Sequence, residues 1–172
     1  KDEGSGGISK EVWALRAAAV AALHQCFYHD RAGQADSFLD EPRFHLLLPA
    51  LISQMEALPT DPTVGARVET ALVPCMVQLA AAVGSDVLWR PLNRDVLMAT
   101  RHEAARTRLL ALRVTKALVA HLREEYLVLL PETLPFLAEL MEDPVEEVEA
   151  EVQELLAELT ELSGEDLKEM LA

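Results

Sequence analysis

Apolar residues recur at intervals of three and four along almost the whole chain. That spacing marks helices with one buried face. The pattern predicts a first helix over about Ile8 to His29, with Val12, Leu15, Ala19, Ala22, Leu23 and Cys26 as its inward face. Gly33 and the stretch from Asp36 to Asp40 break it. A second helix is predicted from about Glu41 to Leu58, ended by Pro59-Thr60-Asp61-Pro62. Proline cannot continue a helix, and Thr and Asp cap the next one. The third runs from about Pro62 to Val83 and stops at Gly84. Ser85 or Asp86 caps a fourth, to about Arg101; the fifth spans about Glu103 to Leu122. The sixth spans about Glu124 to Glu142, with Leu127, Leu130, Leu134, Leu137 and Met141 as its core stripe. The seventh runs from about Val145 to Leu162, and a turn from Glu165 to Leu171 finishes the chain. Residues 1–7, KDEGSGG, read as a flexible leader. Residues 8–172 read as one domain.

The even-numbered helices carry matching prolines, Pro49, Pro91 and Pro131, spaced 42 and 40 residues apart. Each is expected to kink its helix at the same relative place. Asp61-Pro62 and Asp143-Pro144 open two of the helices that follow. Two helices per period of roughly 40 residues is the signature of HEAT-type repeats. The predicted fold is an all-α, HEAT-like helical-repeat solenoid of three helix pairs, 41–82, 85–121 and 123–162. Helix one is then the second helix of a preceding pair, and the last turn is a cap. The seventh helix shows the logic of stacking. Val148, Val152, Leu155, Leu159 and Leu162 form one stripe. Glu147, Glu151, Glu154, Glu158 and Glu161 form another, about 100° round the helix.

Composition narrows the class. Of 172 residues, 51% are hydrophobic and only 5% aromatic, with abundant Leu and Ala, which favours helix over sheet. Two cysteines exclude a disulfide framework, and no uninterrupted apolar run reaches the ~18 residues that span a bilayer. The first residue is Lys1 rather than Met, as expected of a piece of a longer protein. The net charge of −14 is uneven. Residues 1–121 carry 13 acids and 13 bases, whereas residues 122–172 carry 16 acids and two bases. Such an acidic end argues against a protein that coats nucleic acid.

The candidate chemistry is sparse. His24, Cys26 and His29 are the compact metal-capable set. Five residues apart on a helix, His24 and His29 diverge by about 140°, unlike the three- or four-residue spacing of helical zinc pairs. Cys26 and Cys75 lie in apolar runs and read as buried thiols. No nucleophile elbow or catalytic triad can be argued from spacing. No enzyme activity, metal, cofactor, membrane or small-molecule ligand is expected. A basic cluster offers more. Arg94 and Arg101 share a face of helix four; Arg106 and Arg113 share one of helix five, with Lys116 near it. If those faces adjoin, they form a patch for phosphate or for an acidic partner. Ion pairing between repeats is the alternative. The acidic stripe reads either as a solvated face or as a dock for a basic partner.

The segment EYLVLLPETLPFLAELMED (125–143) resembles the HEAT-repeat-containing protein 1 family of animals, called U3 snoRNA-associated protein 10 in fungi. FHLLLPALISQME (44–56), LVPCMVQLA (72–80), WRPLNRDVLMATR (89–101) and RLLALRVTKAL (108–118) are similar too, in order, so the resemblance covers roughly residues 37–148. It implies a non-catalytic nucleolar scaffold of the small-subunit processome, at the C-terminal end of a giant solenoid. Its implied partners are other processome proteins, with U3 snoRNA and pre-rRNA contacted indirectly. Its implied role is support of pre-rRNA transcription and 18S rRNA maturation. Direct RNA binding through the basic patch, and a generic HEAT-type adaptor, are the competing readings.

Overall fold

A computed structural model describes residues 8–30, 37–167 and 169. Local chemistry sets where its helices begin and end. Helix α1 (Lys10–His29) starts where the Ser9 hydroxyl accepts from the Val12 N–H. Helix α2 (Glu41–Glu56) starts where Asp40 accepts from the Arg43 N–H at 2.8 Å. Asp61 accepts from Thr63 and Val64 at the head of α3 (Pro62–Val83), with Pro62 where a missing N–H is harmless. Gly84, at φ 52°, ends α3 in the left-handed conformation that glycine adopts without strain. Then follow α4 (Asp86–Met98), α5 (Ala105–Leu122), α6 (Leu130–Leu140) and α7 (Glu146–Ser163). Among the described residues all regular structure is helical.

The helices pack as α2–α3, α4–α5 and α6–α7, the three predicted pairs. Helices α1, α3, α5 and α7 stack side by side in one layer, and α2, α4 and α6 form the other. α1 therefore continues the layer of second helices. One contiguous apolar core runs from Val20 to Leu167 between the layers, joined by a small cluster of Trp13, Ala17 and Val68 at the α1–α3 crossing. Over an 18-residue window α3 has a mean hydropathy of 1.3, apolar enough to cross a membrane by composition. The fold accounts for that composition, because α3 packs against α1, α2, α4 and α5 at once.

Four expectations change. The face of α1 is rotated: Trp13, Ala17, Val20 and Phe27 are buried, while Leu15 is 69% exposed and Val12 43% exposed. Cys26 is exposed rather than buried; Cys75 is buried, and burial pushes its thiol up to about 12. The sixth helix begins late. Residues 123–129 form a tighter 3-10 turn, and Pro131 sits in the first turn of α6, whereas Pro49 and Pro91 lie inside their helices. A proline ring collides with the carbonyl four residues back, so an α-helix cannot run from 124 through 131 undisturbed. The α6 stripe shifts accordingly. Leu130 and Leu137 are buried as expected and Leu127, Leu134 and Met141 only half-buried, while Tyr126, Thr133 and Leu140 take the deep positions. In α7 the predicted stripe is buried from Val148 to Leu159, with Leu156 added and Leu162 half-buried. Trp13 and Trp89 are core residues, and the Trp89 indole donates to the Ala80 carbonyl at 2.9 Å. The leader at 1–7, Gly33 and Asp36 of the first break, and parts of the final turn lie outside the described residues.

Candidate interaction surfaces

Four of the five basic residues singled out by spacing are divided among three helix–helix seams. Arg101, in the 3-10 turn Ala99–Arg101 that follows α4, forks onto both carboxylate oxygens of Glu139 in α6, at 2.8 and 2.6 Å. Its guanidinium also lies 4.4 Å over the Phe136 ring. The hydrogen bond to Arg101 holds the Glu139 carboxyl below its usual range. On α5, Arg106 and Arg113 both reach back to Glu69 of α3, at 2.7 and 3.0 Å. Lys116, also on α5, reaches forward to Glu154, Glu151 and Glu158 of α7, at 2.6, 3.3 and 3.8 Å. The bond to Glu154 leads in raising the Lys116 ammonium pKa, and the same bond lowers that of Glu154. Arg94 differs: its side chain is 73% exposed and, among the described residues, its ion pair is with Asp95, its chain neighbour.

The basic cluster and the acidic stripe thus meet each other. Glu151, Glu154 and Glu158 converge on Lys116, while Glu147 and Glu161 are solvent-facing. Exposed ion pairs of this kind contribute about 0–1 kcal/mol each. Their effect lies more in fixing which helix faces which.

Three deeper polar arrangements escaped the reading by spacing. Arg108 of α5 forks onto Asp143 at 2.7 and 2.8 Å and also donates to the carbonyls of His102 and Glu103. Both side chains are nearly buried, 11% and 5% exposed. Burial works to raise the Asp143 carboxyl, but Arg108 and the Val145 N–H outweigh it and hold it low. Asp143 Oδ1 accepts that N–H at 2.9 Å, so one carboxylate ties α5 to the head of α7. The second is a buried network between α4 and α6. Tyr126 donates its hydroxyl proton to Asn93 Oδ1 at 2.8 Å, and Asn93 donates to Thr133 at 3.1 Å. The third is Arg106 over Gly65, where the guanidinium fills the space a side chain would take and donates to the Pro59 and Pro62 carbonyls. A usable signal existed for these. Asn93 and Thr133 stand 40 residues apart, Arg101 and Glu139 38, Arg106 and Glu69 37, Arg108 and Asp143 35. Complementary residues one repeat apart are candidates to meet.

The metal-capable set stays dispersed. Cys26 and His29 are exposed, His24 is half-buried, and the rings of His24 and His29 both lie against Tyr28. Among the described residues no group of three or more His, Cys, Asp or Glu side chains is placed to hold a metal ion.

No family model matches the chain. An uncharacterized protein of Arabidopsis thaliana is 43% identical over 175 residues, covering 97% of this chain and 8% of that protein. HEAT repeat-containing protein 1 of Danio rerio is 44% identical over 122 residues, 70% of this chain and 6% of the relative. U3 small nucleolar RNA-associated protein 10 of Phaeosphaeria nodorum is 35% identical over 159 residues, 91% of this chain and 9% of the relative. Covering 97% of the chain, the plant match extends on both sides beyond the 37–148 stretch that carried the resemblance. The chain therefore spans less than a tenth of the length of these relatives. Its sequence and its paired-helix fold agree: this chain belongs to the family of HEAT repeat-containing protein 1 and U3 small nucleolar RNA-associated protein 10.

Proposed function

We propose that this chain is the C-terminal end of a large, non-catalytic scaffold of the small-subunit processome. It works in the nucleolus by protein–protein contacts that support pre-rRNA transcription and 18S rRNA maturation. Residues 8–172 act as one solenoid unit within that scaffold. Relatives named for U3 small nucleolar RNA support the ribosome-assembly setting. The observation that carries the mode of binding is the fate of the cations. Arg101, Arg106, Arg113 and Lys116 are engaged by carboxylates of neighbouring helices. A phosphate backbone would have to displace those carboxylates, against a chain of net charge −14. Extended repeat surfaces suit partners held by many modest contacts.

The test is affinity purification of the tagged chain from nucleolar extract, with and without ribonuclease, read by mass spectrometry. Recovery of processome proteins that survives ribonuclease is expected. Loss of every partner after ribonuclease would overturn the protein-contact mode in favour of RNA. Recovery of no processome protein in either condition would overturn the ribosome-assembly reading.

A further inference from the structure

Helix α1 has two apolar faces. One, through Trp13 and Ala17, packs on Val68 of α3. On the far side Val12, Leu15, Ala19, Ala22 and Cys26 form a continuous exposed stripe. No Asp, Glu, Lys or Arg occurs between Ala17 and His29. A helix at a solvent boundary carries a polar face, and one that is apolar all round is a buried helix. The stripe opens into a mostly apolar cleft of about 200 Å³ between α1 and α2, bordered by Leu23, Leu47 and Ala50, with the cationic side chain of Arg16 at its edge. Gln54, also on that cleft, holds a buried side-chain oxygen without a hydrogen-bond partner.

We propose that this face seats a further amphipathic helix of the same polypeptide, the first-layer partner that α1 lacks among the described residues. Three observations select that occupant. α3, α5 and α7 each pack on the helix that precedes them, α2, α4 and α6. The chain covers only 8% of the plant relative and 6% of the zebrafish relative, so in those proteins most of the polypeptide lies elsewhere. The stripe from Val12 to Cys26 is about 21 Å long and needs roughly 14 helical residues to cover it. The segments 1–7 and 31–36 are each too short for that. The fitting helix presents large aliphatic side chains to the small Ala19 and Ala22 and a donor to Gln54. The inference rests on reading the chain as part of a longer solenoid. It is independent of which assembly that solenoid joins.

Cys26 is a native probe of the stripe, and Cys75 an internal reference buried in the core. The intact gene product and the 172-residue chain are purified, treated with N-ethylmaleimide under native conditions, and quantified by peptide mass spectrometry. Cys26 is expected to react at least tenfold more slowly in the intact polypeptide than in the chain, with Cys75 unreactive in both. Leu15→Asp in the intact polypeptide is expected to restore Cys26 labelling and leave Cys75 protected. Equal labelling of Cys26 in both proteins overturns the proposal, as does protection that persists in Leu15→Asp. Protection in the short chain that grows with its concentration also overturns it, in favour of a second copy on the stripe. Because the proteins are purified, a failure to recover processome partners leaves the labelling result untouched.

Discussion

Gly65 and Arg106 should be coupled, and the coupling has a size. A Cβ added at Gly65 would overlap three atoms of the Arg106 guanidinium. Those atoms are the far end of a flexible side chain, so Gly65→Ala evicts them rather than moving the backbone. The eviction breaks the 2.7 Å bond to Glu69 and the bonds to the Pro59 and Pro62 carbonyls at 3.1 and 3.2 Å. The Arg106 side chain is 30% exposed and Glu69 14% exposed. The set therefore stabilises by about 2 kcal/mol, near the low end for bonds to charged groups. Against this, alanine is favoured over glycine inside a helix by about 0.5–1 kcal/mol. Gly65→Ala alone should thus destabilise by about 1 kcal/mol, and Arg106→Ala by about 2 kcal/mol. In the Arg106→Ala background nothing is left to evict, and Gly65→Ala should stabilise by about 0.5–1 kcal/mol. A double-mutant cycle from urea melts at constant m reads a coupling of about 2 kcal/mol. Additivity within about 0.5 kcal/mol would refute the placement of the guanidinium over Gly65.

Two further outcomes test other parts of the structure. Leu137 is fully buried, and Leu137→Ala should destabilise by about 2–5 kcal/mol; an unchanged melting temperature would mean that the buried face of α6 is wrong. Asp143→Asn should destabilise by about 2–3 kcal/mol at neutral pH, because it leaves Arg108 nearly buried without its counter-charge. The folded-state pKa of Asp143 is lowered, so its contribution is fully present above the ordinary carboxylate range and is lost as pH falls from that range down through the lower folded-state pKa. The two proteins should therefore converge in stability as pH falls below the ordinary carboxylate range and through the lowered folded-state pKa, and a gap that stays constant from neutral pH down through that fall would sink the assignment.

The ends of α3 were legible in the sequence. Asp61-Pro62 and Gly84 act locally, through a carboxylate cap, a harmless missing N–H and a left-handed φ. The stripe of α7 was legible for a related reason. One face is glutamate and the other aliphatic, so the periodicity has a definite phase. The phase of α1 could not be read, because its apolar residues surround the helix. Periodicity then offers two faces, and only the position of α3 chooses between them. The start of α6 was hidden for another reason. A proline marks a perturbed helix without saying whether it sits in the interior, like Pro91, or in the first turn, like Pro131. What differs is Tyr126, fully buried with its hydroxyl on Asn93, within the 3-10 turn that precedes α6. The candidate site was half legible. Spacing on one helix finds which cations share a face, but not which helix that face meets.

That last distinction changes the meaning of the charge asymmetry. Along the chain the order is neutral, then basic, then acidic, which suggests two separate surfaces for two kinds of partner. In the fold the basic helix α5 lies between α3 and α7, and both neighbours supply carboxylates to it. Exposed pairs contribute too little to hold the stack together; the buried aliphatic layer between the helices does that. What the pairs can do is select neighbours. An aliphatic face accepts any other aliphatic face, and helices of a repeat are alike enough to stack in the wrong order. Arg106 and Arg113 meet Glu69 of the helix before α5, and Lys116 meets the α7 glutamates of the helix after it, so the two seams are joined by different sets of side chains. The surplus acid of α7 that remains outside these pairs, Glu147 and Glu161 among it, is the part of the charge that stays exposed to solvent.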